Sequence, residues 1–166
     1  HITGYNEPLW RELREEARKR SKKELPGRII ASDIDPAAVD AAKKNAVTAG
    51  VEHLIEFGVC DYAETVIPGD GGIVVMNPEY GERMGEVAEL EPVYKGIGDF
   101  LKQKCGGYTG YVFTGSPALA KKVSLKPKRS IPFWNSGIEC RLLEYELYEG
   151  SRKKLTRGRG DAETRG

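Results

Sequence analysis

The chain has 166 residues, 39% of them hydrophobic and 31% charged, with a formal net charge of +1. That length supports one domain with a real core and argues against two, while near-neutrality leaves polyanion binding open, because phosphates are met by local patches rather than by the net sum. Cys60, Cys105 and Cys140 are odd in number and lack C-x-x-C spacing. They indicate neither a metal site nor a disulfide framework and suit a reducing compartment.

Leu9, Leu13 and Ala17 recur every four residues between charges, and Glu15 with Lys19 and Glu16 with Arg20 are oriented as helix pairs. A surface helix with one narrow buried stripe is expected there. Pro26-Gly27 breaks it, and Arg28 to Ser32 reads as a short buried strand. Asp33-Ile34-Asp35-Pro36 closes that strand and opens an alanine-rich helix from Ala37 to Ala49, with Asp35 as N-cap and Gly50 ending it. His53 falls at the following helix-to-strand junction and, like His1, has no neighbouring ligand set. Leu54 to Cys60 reads as a strand stopping at Asp61.

Gly69-Asp70-Gly71-Gly72 turns the chain into the apolar run Ile73-Val74-Val75-Met76, which stops at Asn77-Pro78-Glu79-Tyr80. Glu91 to Lys104 places Val93, Ile97, Phe100 and Leu101 on one helical face. Tyr108 to Phe113 is strand-like, Pro117 to Lys122 a short helix, and Ile138 to Tyr148 a long closing strand. Strands alternating with helices imply a largely parallel sheet covered on both faces. Residues 1–150 are expected to form the domain, and 151–166 a basic, disordered tail. No apolar run reaches membrane-spanning length and the amino terminus lacks a signal-peptide pattern, so the protein reads as soluble and cytoplasmic, with no membrane partner.

Three strands in succession end in Asp33, Asp61 and Asn77. Strand ends of a parallel sheet share one edge, where such sheets bind ligands. A carboxylate there can accept both hydroxyls of a ribose, a task that suits Asp33, and Asp61 can accept from an adenine amino group. The Asn77 side-chain oxygen and the Pro78 carbonyl can take the two hydrogens of an exocyclic amine, leaving its lone pair for an electrophile. Tyr80 can stack on the ring that carries the amine. Taken singly, each aspartate is equally a cap and the Asn-Pro pair a turn; together they favour a site.

These motifs, in this order, with the later Asn135-Ser136-Gly137-Ile138-Glu139-Cys140, make the chain resemble the S-adenosylmethionine-dependent RNA methyltransferases that include the ribosomal large-subunit guanine-N2 enzymes. The likeness runs from about Gly4 to Glu149 and is most diagnostic at the Asn-Pro-x-Tyr-Gly-Glu-Arg stretch. It implies a Rossmann-like class I methyltransferase fold, α/β, with a mostly parallel sheet and helices on both faces. S-adenosylmethionine would be the cofactor and structured, ribosomal RNA the partner, with no metal. By the resemblance, Asp33 binds the donor's ribose, Ile34 packs beside its adenine, Asp61 faces the adenine amine, and Asn77, Pro78 and Tyr80 hold the target base.

The family has proline where this chain has Glu79. Its first strand and glycine-rich donor loop have no counterpart after His1, so the central first strand is expected to be missing and its place taken by an upstream segment or a second copy. Adenine N6 is the nearest other target. The rival from another class is a non-catalytic RNA-binding or assembly subunit that keeps the methyltransferase sheet, and a nicotinamide dehydrogenase is a distant third. The cations of Lys121 to Arg129, with Phe133 and Trp134 just beyond, read equally as a solvated loop or as an RNA-contacting groove.

Overall fold

The computed structural model describes residues 4–81 and 86–149. His1, Glu82 and Arg83 of the diagnostic stretch, and the tail expected at 151–166 lie outside the described residues. The chain divides into two compact units, His1–Thr65 and Val66–Gly166.

The first unit begins with α1 (Glu7–Arg20), capped by Asn6, whose side chain accepts the Leu9 N–H. The ion pairs Glu15–Lys19 and Glu16–Arg20 form as the spacing requires. The expected buried stripe does not: α1 has no buried residue, and Leu9, Trp10 and Leu13 are about half exposed. Periodicity specifies a face, not the surface that covers it. Strand β1 (Ile29–Asp33) runs parallel to β2 (Ile55–Val59), joined through α2 (Pro36–Ala49). Asp35 caps α2 with Pro36 in its first turn, and Gly50 ends it in the left-handed conformation at φ 72°. Val39 and Ala46 are its buried residues. Arg28, just before β1, grips both oxygens of Glu56 in β2 with its guanidinium at 2.7 and 2.6 Å, which lowers the Glu56 pKa.

The second unit holds a four-stranded sheet in the order β3-β4-β6-β5, with β3 (Gly72–Met76), β4 (Tyr108–Thr114), β5 (Arg129–Asn135) and β6 (Ile138–Glu146). β3 and β4 are parallel, while β6 runs antiparallel to both β4 and β5. The sheet is therefore mixed. Helices α3 (Glu86–Lys104) and α4 (Pro117–Lys122) follow β3 and β4. Gly110, Val112 and Thr114 of β4 are buried in alternation with half-buried neighbours, and Leu101 of α3 lies against Gly110, where a Cβ would come within 3.2 Å of it.

Two elements differ from the sequence reading. Strand β5, not among the expected strands, contains Pro132, which is tolerated because β5 is the sheet edge, bonded among the described residues to β6 alone. Helix α3 starts at Glu86 rather than Glu91 and carries Pro92 inside. Its buried side chains include Tyr94, Ile97, Leu101 and the following Cys105, whereas Val93 is partly exposed.

Among the described residues, β1 pairs only with β2 and β3 only with β4. No helix among them is long and apolar enough to cross a membrane.

Candidate functional site

In the first unit, the ends of β1 and β2 bring two carboxylates to one edge. The Cys60 N–H donates to the Asp33 carbonyl at 3.1 Å, carrying the pairing one residue past β2, so that Asp33 and Asp61 lie at the same end of the strand pair. Asp33 Oδ1 accepts the Asp35 N–H at 2.8 Å, Asp35 Oδ1 accepts the Ala37 N–H at 2.9 Å, and Asp61 Oδ1 accepts the Ala63 N–H at 2.8 Å. All three therefore stiffen turns, as short acidic side chains do. Asp33 and Asp61 each retain a second oxygen that no described residue engages. Between Asp33 and the Asp35 cap stands Ile34, 70% exposed. An apolar side chain held in solvent beside two carboxylates with spare acceptor capacity fits the parts of an adenosine: a flat ring, its amine, and a pair of ribose hydroxyls.

In the second unit, β3 delivers Asn77, Pro78, Glu79 and Tyr80 to the carboxyl edge it shares with β4. Asn77 and Glu79 are exposed, Pro78 and Tyr80 half-buried. Gly81 closes the loop at φ 63°, where a side chain would be strained. The edge is completed from two further directions. Gly115 follows β4, and the β5–β6 hairpin turns through Ser136-Gly137, pairing Asn135 with Ile138. The Asn135 Nδ2–H donates to the Tyr80 phenol oxygen at 2.9 Å.

Behind this edge lies a buried hydroxyl cluster. Tyr94 and Thr114 share a 2.8 Å hydrogen bond, and Thr114 Oγ1 also accepts the Ser116 N–H at 3.1 Å. The Tyr145 hydroxyl is buried with no partner among the described residues. Burial raises the pKa of Tyr94 and pushes Tyr145 up to about 12. Burial alone likewise pushes the Cys105 thiol up to about 11.

The basic stretch is less free than its composition suggests. Lys122 pairs with Glu91 at 2.8 Å, Lys128 with Glu146 at 3.3 Å, and Arg129 with Glu144 at 3.5 Å. The rings beyond it stay accessible: Trp134 is 70% exposed, while Phe133 packs edge-on against Phe113 at 6.0 Å.

A family profile described as "RMKL-like, methyltransferase domain" matches residues 1–144. The chain belongs to this methyltransferase family. It is 37% identical over 148 residues to the ribosomal RNA large subunit methyltransferase K/L of Syntrophotalea carbinolica, covering 85% of this chain and 21% of that protein. Among solved structures it is similar to SMU.472, a methyltransferase crystallised with SAH, at 19% identity and a TM-score of 0.74, covering 90% of this chain and 39% of the other. It is also similar to a Listeria monocytogenes protein named a predicted N6-adenine-specific DNA methylase, at 27% identity and a TM-score of 0.70, covering 86% and 36%. These neighbours agree with the Rossmann-like methyltransferase fold. The chain spans between about a fifth and two-fifths of the length of the relatives it matches.

Within the first unit, Asp33, Ile34 and Asp61 stand at one sheet edge; within the second, Asn77, Pro78 and Tyr80 stand at another, backed by Gly115 and Asn135. The sequence reading gave these last two no role. Asn135 was visible as the residue before a Ser-Gly turn, but its partner lies 55 positions away.

Proposed function

We propose that this methyltransferase acts on an exocyclic base amine of RNA, guanine N2 of the large-subunit ribosomal RNA, with S-adenosylmethionine as donor. The observation that carries the reading is the loop Asn77-Pro78-Glu79-Tyr80, which leaves the end of β3 with its amide in solvent and its ring docked at the same edge. The name shared by several relatives, ribosomal RNA large subunit methyltransferase K/L, supports the substrate class.

The first unit holds the donor's adenosine: the Asp33 carboxylate takes the ribose hydroxyls, Asp61 the adenine amine, and Ile34 one face of the ring. When bound, S-adenosylmethionine supplies a methyl group on an electron-poor sulfonium. In the second unit, the Asn77 oxygen and Pro78 carbonyl accept the hydrogens of the base amine, so its lone pair is directed outward, and Tyr80 holds the base plane still. Orientation of this kind is the main source of rate in a direct displacement. A paired target base would first have to leave its stack. Trp134, the most exposed ring of the hairpin, is placed to stack on neighbouring nucleotides. The single-sided pairing of β1 and β3 suits addition of a strand from an upstream segment or a second copy. Adenine N6 is the second reading, favoured by the likeness to the N6-adenine-specific methylase.

The test uses the full gene product, labelled donor and ribosomal RNA, with the modified nucleoside identified by mass spectrometry. N2-methylguanosine supports the first reading and N6-methyladenosine the second. Asn77→Ala should cut methyl transfer at least about 100-fold, as loss of a positioned polar group commonly does, with donor affinity by calorimetry unchanged. Asp33→Ala should do the reverse and weaken donor binding. Full activity in Asn77→Ala refutes the role given to the loop.

A further inference from the structure

Tyr80 owes its geometry to residues far from its own loop. Its phenol oxygen accepts the Asn135 amide hydrogen at 2.9 Å. A Cβ built on Gly115 would stand 2.9 and 3.0 Å from Tyr80 Cδ2 and Cε2, and 3.1 Å from the Ile138 Cγ2 methyl. The ring therefore lies directly over the Gly115 backbone with Ile138 beside it, closer than any side chain at 115 would allow. Because β6 runs antiparallel to β4, with Thr114 opposite Arg141, the tip of the β5–β6 hairpin returns to the edge at which β3 ends. Three segments of the second unit thus meet at one aromatic ring.

Two features argue that this contact serves direction rather than stability. The bond lies in an exposed setting, where water competes for both partners and a neutral hydrogen bond adds little to stability. Asn135 also donates, so the phenol keeps its own hydrogen, and no described residue accepts it. The ring plane is fixed at both ends while its polar tip remains able to donate to something else.

We propose that Asn135 is a positioning residue for the target base, acting through Tyr80. Its amide and the bare Gly115 backbone set the ring plane on which the base stacks, and leave the Tyr80 hydroxyl hydrogen aimed at an acceptor on the bound base or its sugar. This rests on the methyl-transfer reading above and deepens it. Loss of the amide frees the ring to turn, and misplacement of a bound base by about 1 Å is enough to slow a displacement by up to about 100-fold.

The test compares the full gene product with Asn135→Ala, Tyr80→Phe and the double variant, measuring kcat, the KM for RNA, donor affinity and the melting temperature. Each single change should lower kcat about 10-fold or more, with donor affinity and melting unchanged. The double variant should be no slower than the slower single, since the same bond is removed twice. The Asn135 side-chain amide resonance should shift in Tyr80→Phe even without substrate. Wild-type kcat in Asn135→Ala, or losses that multiply in the double variant, overturn this inference alone. A wild-type protein that transfers no methyl to RNA overturns the functional reading and this inference with it.

Discussion

Gly98→Ala puts a single methyl group where the second unit has no room for one. Gly98 sits inside α3, where alanine would ordinarily be the better residue by about 1 kcal/mol. Its ideal Cβ, however, would lie 1.9 Å from the Val123 carbonyl oxygen, 2.8 Å from the carbonyl carbon and 3.2 Å from Cα. Those atoms are backbone at the end of α4, so no side-chain rotation relieves the contact. Restoring ordinary separation requires the two helices to part by about 1.5 Å. Leu119 and Val123 are completely buried and would lose packing together. Overpacking of this kind costs roughly 1–3 kcal/mol, and partial exposure of two apolar side chains roughly 1–2 kcal/mol more. Against the helix gain of about 1 kcal/mol, the net loss is about 1–4 kcal/mol, centred near 2.5. Urea unfolding followed by a probe in the second unit should show the midpoint falling by roughly 1–2 M with little change in slope. An unchanged or raised midpoint would refute the reasoning, because propensity would then have outweighed the backbone contact.

Tyr145→Phe removes a buried hydroxyl that has no partner among the described residues. It should be neutral or raise stability by about 1 kcal/mol, read by the same unfolding experiment; a loss above about 1 kcal/mol would mean that the hydroxyl is satisfied. The raised pKa values set an alkaline limit. Cys105 and Tyr145 release their protons more readily unfolded than folded, so their contribution is complete below the ordinary values of 9.0 and 10.0. It is lost as pH climbs to about 11 for the thiol and about 12 for the phenol. Melting temperature should therefore decline above about pH 9, and the tyrosinate absorbance should show one phenol titrating near pH 12; a flat profile from pH 8 to 11 would contradict the burial argument.

Most of the alternation of strands and helices was legible because its punctuation is local. Asp35-Pro36, Gly50, Ser116-Pro117 and the Ser136-Gly137 turn each declare a boundary through backbone chemistry within four residues. What escaped notice depends on tertiary context. Pro132 hides β5 because only the edge position excuses a proline, and α1 shows its apolar spacing without the burial that spacing suggests. In α3, reading the stripe from Val93 missed Tyr94, although Tyr94, Ile97, Gly98, Leu101 and Cys105 are spaced as one helical face. The candidate site divides in the same way. Strand-terminal polar residues announced Asp33, Asp61 and Asn77, whereas the Tyr80–Asn135 bond joins residues that no pattern of spacing connects.

The four-stranded sheet is asymmetric at its rims. On β5, Pro132 and the charged Arg129 discourage any further strand from joining. On β3, the opposite rim, Ile73 and Val75 are 69% and 67% exposed, with no proline or charge from Gly72 to Met76. Between the two rims of this sheet, self-association should therefore begin at β3, and Ile73→Lys should suppress that route.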